Sequence, residues 1–221
     1  MNTFQLEATP RDVAGKKATK AVRKNGLIPA ILYGRAPVEL PYTGELGSGE
    51  KIVGLGDNKA VVVTDLTVTK ESVRNLIYTP NIYVIELTVR GGRAVKAILK
   101  DIQFHPVTDA VLHIDFLEVF EDKPIVMEVP VALEGHAEGV KAGGKLNLEL
   151  RKLRVKALYG GIPERLVINV DKLGLGKAVK VGDLQYDNLE LVNAKNAVVC
   201  AVKLTRAARG MEAAASATQS S

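Results

Sequence analysis

Four polar side chains lie within thirteen residues on what reads as a pair of strands. Gln103-Phe104-His105-Pro106 precedes His113-Ile114-Asp115-Phe116 by six residues. Successive side chains of a strand point to opposite faces, so Leu112, Ile114 and Phe116 share an apolar face and His113 and Asp115 share the other. Gln103 and His105 fall together by the same rule. The Pro-Val-Thr-Asp-Ala connection at 106–110 is short enough to return the chain antiparallel, placing all four side chains on one solvent-facing surface. Two chemistries use such a set. His105, His113 and Asp115 can form a two-histidine, one-carboxylate metal site. The same groups, with Gln103, offer donors and acceptors suited to base edges and ribose hydroxyls. A purely structural use, with Gln103 and Asp115 tying strand ends and turns, stands beside both.

Other features narrow the choice. No serine or cysteine stands in a nucleophile elbow, and neither a Walker nor a dinucleotide glycine fingerprint occurs. The glycine-rich stretch Gly44–Gly56 lacks the Gly-Lys-Ser/Thr ending of a phosphate-binding loop and reads as a flexible loop. His136 lies in Gly135-His136-Ala137, a surface loop. The one cysteine, Cys200, sits in an Ala/Val run, so it reads as a buried small hydrophobe; an internal disulfide or a zinc–thiolate cluster is excluded. No leader-like start and no apolar run near the roughly 18–20 residues of a membrane span is seen, which leads us to expect a cytoplasmic protein.

Charge is unevenly placed. Residues 1–36 hold Arg11, Lys16, Lys17, Lys20, Arg23, Lys24 and Arg35 against Glu7 and Asp12, a net +5, while the other 185 residues carry 23 basic and 23 acidic side chains. The whole excess sits in the first sixth of the chain. Such a localised positive field suits a polyanionic partner. Lys16–Lys24 has helical character: Lys17, Lys20 and Lys24 recur on one face, Ala18, Ala21 and Val22 can face a core, and Gly26 ends the helix.

The elements that must position these groups are mostly strands. Residues 3–8, 27–33 (an edge or strand start, given Pro29) and 60–64 read as strands, with 36–59 an irregular inserted loop. Thr69 caps a helix over 70–78 with Val73, Leu76 and Ile77 inward. Residues 81–90 and 93–100, joined at Gly91-Gly92, are the clearest hairpin. The link Glu121-Asp122-Lys123-Pro124 marks a domain boundary. Beyond it, short strands at 125–133, 146–150, 153–159, 166–170, 189–191 and 197–204 predict a second β-rich domain. The alanine- and serine-rich end, 207–221, reads as a disordered tail.

At this point a resemblance covers nearly the whole chain. Gly15-Lys16 with the basic residues to Arg23, Ile28-Pro29-Ala30-Ile31-Leu32-Tyr33-Gly34, Gln103-Phe104-His105-Pro106 and His113-Ile114-Asp115-Phe116 stand in the order found in the 5S-ribosomal-RNA-binding proteins of the bacterial large ribosomal subunit. Residues 121–206, with Val129-Pro130-Val131, Gly135, Gly143-Gly144 and Ile162-Pro163, resemble the second domain of that family's long, general stress protein Ctc-type form. The resemblance implies a mainly β fold: an N-terminal antiparallel β-barrel with small helices over 1–120, similar to the anticodon-binding barrels of glutaminyl-tRNA synthetase, then a β-domain over 121–206. It implies binding to 5S rRNA at an internal loop through a widened minor groove, with no catalysis and no cofactor. The family's RNA contacts carry over to Arg11, Lys16, Lys20, Arg23, Tyr33, Gln103, His105, His113 and Asp115, and the basic face adds Lys17 and Lys24. In two respects the chain departs from the family. Lys17 and Lys20-Ala21 stand where a second glycine and an arginine pair are common, and the glycine-rich segment, about 37–64, is longer than usual. A stress-related RNA- or protein-binding module away from the ribosome is the alternative reading.

Overall fold

A computed structural model describes residues 2–13, 15–35, 37–39, 44–56, 59–79, 81–91 and 94–205. Gly92 and Arg93 of the predicted hairpin turn, and the 207–221 tail, lie outside the described residues. The chain divides into two compact units, Met1–Lys123 and Pro124–Ser221.

The first unit runs β1 (Asn2–Pro10), α1 (Lys16–Lys24), β2 (Leu27–Tyr33), β3 (Val38–Glu39), β4 (Glu50–Gly56), β5 (Lys59–Thr69), α2 (Lys70–Ile77), β6 (Tyr83–Val89), β7 (Ala94–Phe104) and β8 (Val111–Glu118). Six strands close a barrel in the order β1-β6-β7-β8-β2-β5 and back to β1. The expected barrel is present, but it is mixed: β1 runs parallel to β6 and β2 parallel to β8, while the other four pairings are antiparallel. Helix α1 is the reason that β1 need not pair with β2: it lets the chain cross before returning to the sheet. Alternating apolar residues fill the interior, with Ala30, Leu66, Ile85, Leu87, Ala97, Ile114 and Phe116 fully buried. Val73 and Leu76 of α2 are also buried, and Thr69 caps that helix as anticipated, its Oγ1 accepting from Ser72 N. Gly26 follows α1 with φ +74°, the left-handed turn expected there.

One expectation needs correcting. Residues 36–59 are not an irregular loop throughout, because β4 pairs antiparallel with the first half of β5, Lys51 against Val63 and Val53 against Val61. Lys51-Ile-Val53 faces the Val-rich 61–63 run, and that apolar pairing outweighs the strand-weakening glycines, two of which are displaced to an irregularity at Gly54/Gly56. Strand β5 therefore has two lives: residues 59–64 carry the hairpin, and 64–69 enter the barrel.

The second unit has β9 (Ile125–Glu134), α3 (Glu138–Lys141), β10 (Lys145–Leu148), β11 (Lys152–Ala157), β12 (Leu166–Asn169), β13 (Ala178–Lys180), β14 (Glu190–Leu191) and β15 (Val198–Lys203). Two sheets form, β12-β9-β11-β14 and β10-β15-β13. The long β9 pairs with β11 through Ile125–Pro130, then with β12 through Val131–Glu134. Pro130 stands at the hand-over, where a residue without an N–H is tolerated. Cys200 is fully buried in β15; burial pushes its thiol pKa up, against a smaller lowering by a backbone hydrogen bond from Val179.

Phe116 is the largest fully buried side chain among the described residues. Phe116→Ala is expected to cost about 3–5 kcal/mol, read as an earlier unfolding midpoint in urea followed by circular dichroism.

Candidate nucleic-acid interface

Strands β7 and β8 build the polar face, and two register shifts shape it. Leu99 opposes Phe116 and Asp101 opposes Asp115, so Lys100 is an extra residue on β7; Gln103 opposes His113 and Phe104 opposes Val111, so Leu112 is an extra residue on β8. Between these bulges the outward side chains are Asp101 and Gln103 on β7 and His113 and Asp115 on β8. Their inward neighbours, Ile102 and Ile114, pack with the core. Strand β2 adds Ile31 opposite Asp115 and Tyr33 two residues on.

The charges on this face are close. His113 Nδ1 lies 2.6 Å from Asp115 Oδ1. The ring donates its Nδ1–H to that carboxylate, which fixes the orientation of the imidazole. Asp101 sits across the strands from Asp115, a like-charge pairing that costs stability. Both carboxylates act on Tyr33. Its phenol pKa is raised first by burial, then by Asp115 and by Asp101. The face thus presents a phenol hydroxyl, two carboxylates, an imidazole and a carboxamide.

Asp101 joins the residues expected from sequence, and its signal is the strand period: it stands two residues before Gln103 on the same strand. His105 stands apart from the set. Strand β7 ends at Phe104, and the His105 ring folds into its own turn, Nδ1 accepting the backbone N–H groups of Val107 and Thr108 at 3.3 Å each. It holds the 105–110 connection together instead of joining His113 and Asp115. Among the described residues no group of three or more His, Cys, Asp or Glu side chains is placed to hold a metal ion.

The basic segment divides in two. Lys16, Lys17, Lys20 and Lys24 are exposed on α1 and make no ion pair among the described residues. The arginines are committed to the protein. Arg23 donates Nε and Nη2 to the carbonyl oxygen of Leu112, at 3.0 and 2.9 Å. Leu112 is the bulged residue of β8, so its carbonyl lies outside the strand register and is open to this fork. Arg11, expected among the phosphate contacts, is turned inward: its guanidinium donates to Thr19 Oγ1 and Asp65 Oδ2, both at 3.2 Å, and its buried Nε has no hydrogen-bond partner among the described residues. The guanidinium is held there because Asp65 is itself buried and needs a countercharge. Helix α1 buries none of its residues, and Ala21, expected to face the core, is exposed.

A closed barrel carrying four free lysines on a helix strapped beside a polar strand face is the architecture of a nucleic-acid-binding module. A family model described as the Ribosomal L25p family matches residues 6–44 and 52–116, and one described as ribosomal protein TL5, C-terminal domain, matches 124–206. The chain is 58% identical over 210 residues to the large ribosomal subunit protein bL25 of Porphyromonas gingivalis, covering 95% of this chain and 97% of that protein. Its likeness to bL25 of Parabacteroides distasonis is 57% over 218 residues, covering 96% and 99%, and to that of Bacteroides fragilis 55% over 220 residues, covering 97% and 99%. The chain belongs to the ribosomal L25p family, in a form with a TL5-type C-terminal domain.

The electrostatics of the face can be read from Tyr33. Because its pKa lies above the ordinary 10.0, the protonated phenol's contribution to stability is present below pH 10 and is lost as pH rises through the raised value. Asp115→Asn removes one of the raising charges, so ultraviolet titration of the phenols is expected to show Tyr33 ionising at lower pH than in the parent chain.

Proposed function

We propose that this protein binds 5S ribosomal RNA in the large ribosomal subunit of the cytoplasmic ribosome, as a structural component without catalytic activity, and that the first unit carries the contact. The observation that supports this most directly is the Arg23–Leu112 strap, which sets the free lysines of α1 beside His113 on the barrel face. Lys16, Lys17, Lys20 and Lys24 supply sequence-independent phosphate contacts, and much of the affinity and its salt dependence. Tyr33, Gln103, His113 and Asp115, joined by Asp101, set register and selectivity. A carboxylate is repelled by phosphate, so Asp115 and Asp101 point to base amino groups or hydroxyls as their partners. His105 supports the turn that bounds this face, and Arg11 and Arg23 act through the geometry that they hold.

A gel shift with 5S rRNA, combined with cosedimentation with large subunits, tests the reading. Lys20→Ala is expected to weaken binding to all RNAs alike and to reduce the slope of log affinity against log salt by about one. His113→Ala and Asp115→Ala are expected to cost about 1–3 kcal/mol of discrimination between 5S rRNA and a loop-mutated 5S rRNA, with the salt slope unchanged. An unaltered slope for Lys20→Ala would remove the helix from the phosphate contacts.

A further inference from the structure

Helix α1 poses a mechanical problem. It has nine residues, none buried, and begins with two lysines at the end where the helix dipole is already positive. A helix of that length is marginal in isolation. The preceding residues 11–13 belong to no regular element. With no buried residue to anchor it, this basic segment depends on tethers to the barrel for its orientation, and Arg23 supplies one at the C-terminal end.

The other end is held by the glycine-rich segment. Asp12 Oδ1 accepts from Ser48 Oγ at 2.9 Å and from Gly49 N at 2.7 Å. Gly49 is buried and has φ +76°, and a Cβ there would stand 2.7 Å from the Asp65 carbonyl oxygen and 3.1 Å from Arg11 N. No other residue fits without displacing the backbone. Asp65 closes the assembly from β5: its N–H donates to Gly49 O at 2.8 Å, its carbonyl accepts from Arg11 N at 2.9 Å, and its carboxylate takes Arg11 Nη2 and Lys51 Nζ. Arg11 passes the restraint on to Thr19, whose hydroxyl donates to Gly15 O at 3.0 Å across the first turn of α1. The segment is itself anchored, since Glu50 pairs with Arg35 at 2.6 Å. Residues 45–51, the core of this buttress, fall in the gap between the two stretches that the Ribosomal L25p model matches.

We infer that the 44–51 segment is a clamp that orients the basic arm for RNA, with Asp12 as its positioning residue. The inference rests on the RNA-binding reading above, but the clamp makes a prediction of its own sign. Asp12 is an acidic group in the most basic part of the chain, so charge alone says that removing it should tighten RNA binding. A clamp says the reverse: Asp12→Ala leaves Ser48 and Gly49 without their acceptor and loosens α1, so binding weakens despite one more unit of positive charge.

The test uses the full chain and 5S rRNA in a gel shift at fixed salt, with backbone amide exchange as a second readout. Asp12→Ala is expected to bind about tenfold more weakly, the worth of a lost charge-assisted hydrogen bond, and to speed exchange across 15–24 while leaving 111–118 protected. Asp12→Asn keeps the acceptor for Ser48 and Gly49, and is expected to bind at least as well as the parent. Gly49→Ala should repeat the Asp12→Ala phenotype without any change in charge. Asp12→Ala binding as tightly as the parent, or exchange over 15–24 staying unchanged, would overturn the clamp, as would equal weakening by Asp12→Asn. If the parent chain itself fails to shift 5S rRNA, the RNA reading fails while the exchange data still decide the clamp.

Discussion

The bulge at Leu112 is the constraint on which the polar side of the barrel depends. An extra residue in β8 leaves one carbonyl out of the strand register, and Arg23 fills it with two N–H donors from a helix that has no core residue of its own. Without the bulge that carbonyl would belong to the ladder and the guanidinium would lack its bidentate acceptor. The consequence reaches beyond α1. The same register shift sets His113 opposite Gln103, and the companion shift at Lys100 brings Asp101 opposite Asp115. One irregular strand pair therefore decides both where the lysines sit and which polar side chains share the face beside them.

That face carries a cost which packing cannot explain. Two carboxylates opposite one another on adjacent strands repel, and a half-buried phenol beside them resists ionisation. The hydrogen bond from His113 relieves Asp115 only. A fold optimised for stability alone would place a lysine or threonine at 101 or 115. Carboxylates make sense where a partner brings donors, and base amino groups and ribose hydroxyls are such donors.

Most of this surface was visible in the amino-acid order because strand alternation is local. Ile114 and Phe116 inside with His113 and Asp115 outside follow from a period of two, and so did the hairpin over 81–100 and the cap at Thr69. What escaped was non-local or irregular. His105 obeys the period on paper, yet β7 ends one residue earlier and its ring is captured by its own turn. Arg11 and Arg23 carry the same formal charge as the lysines between them; their inward roles depend on Asp65 and Leu112, 54 and 89 residues away in sequence. The β4 hairpin was hidden because glycines interrupt the alternation that would have announced it, and β5 hands one strand to two partners.

The split between arginine and lysine has its own logic. A guanidinium presents a fixed fork that suits a carbonyl or a carboxylate at a defined place, whereas an ammonium on a flexible stem is a mobile point charge. Here Arg11, Arg23 and Arg35 all meet protein acceptors, and the side chains left free on α1 are lysines. Where the family commonly sets an arginine pair, this chain has lysine and alanine. The helix can then follow a phosphate backbone without demanding one geometry of it. The barrel face carries the more rigid groups: side chains on paired strands, with one imidazole held by a carboxylate.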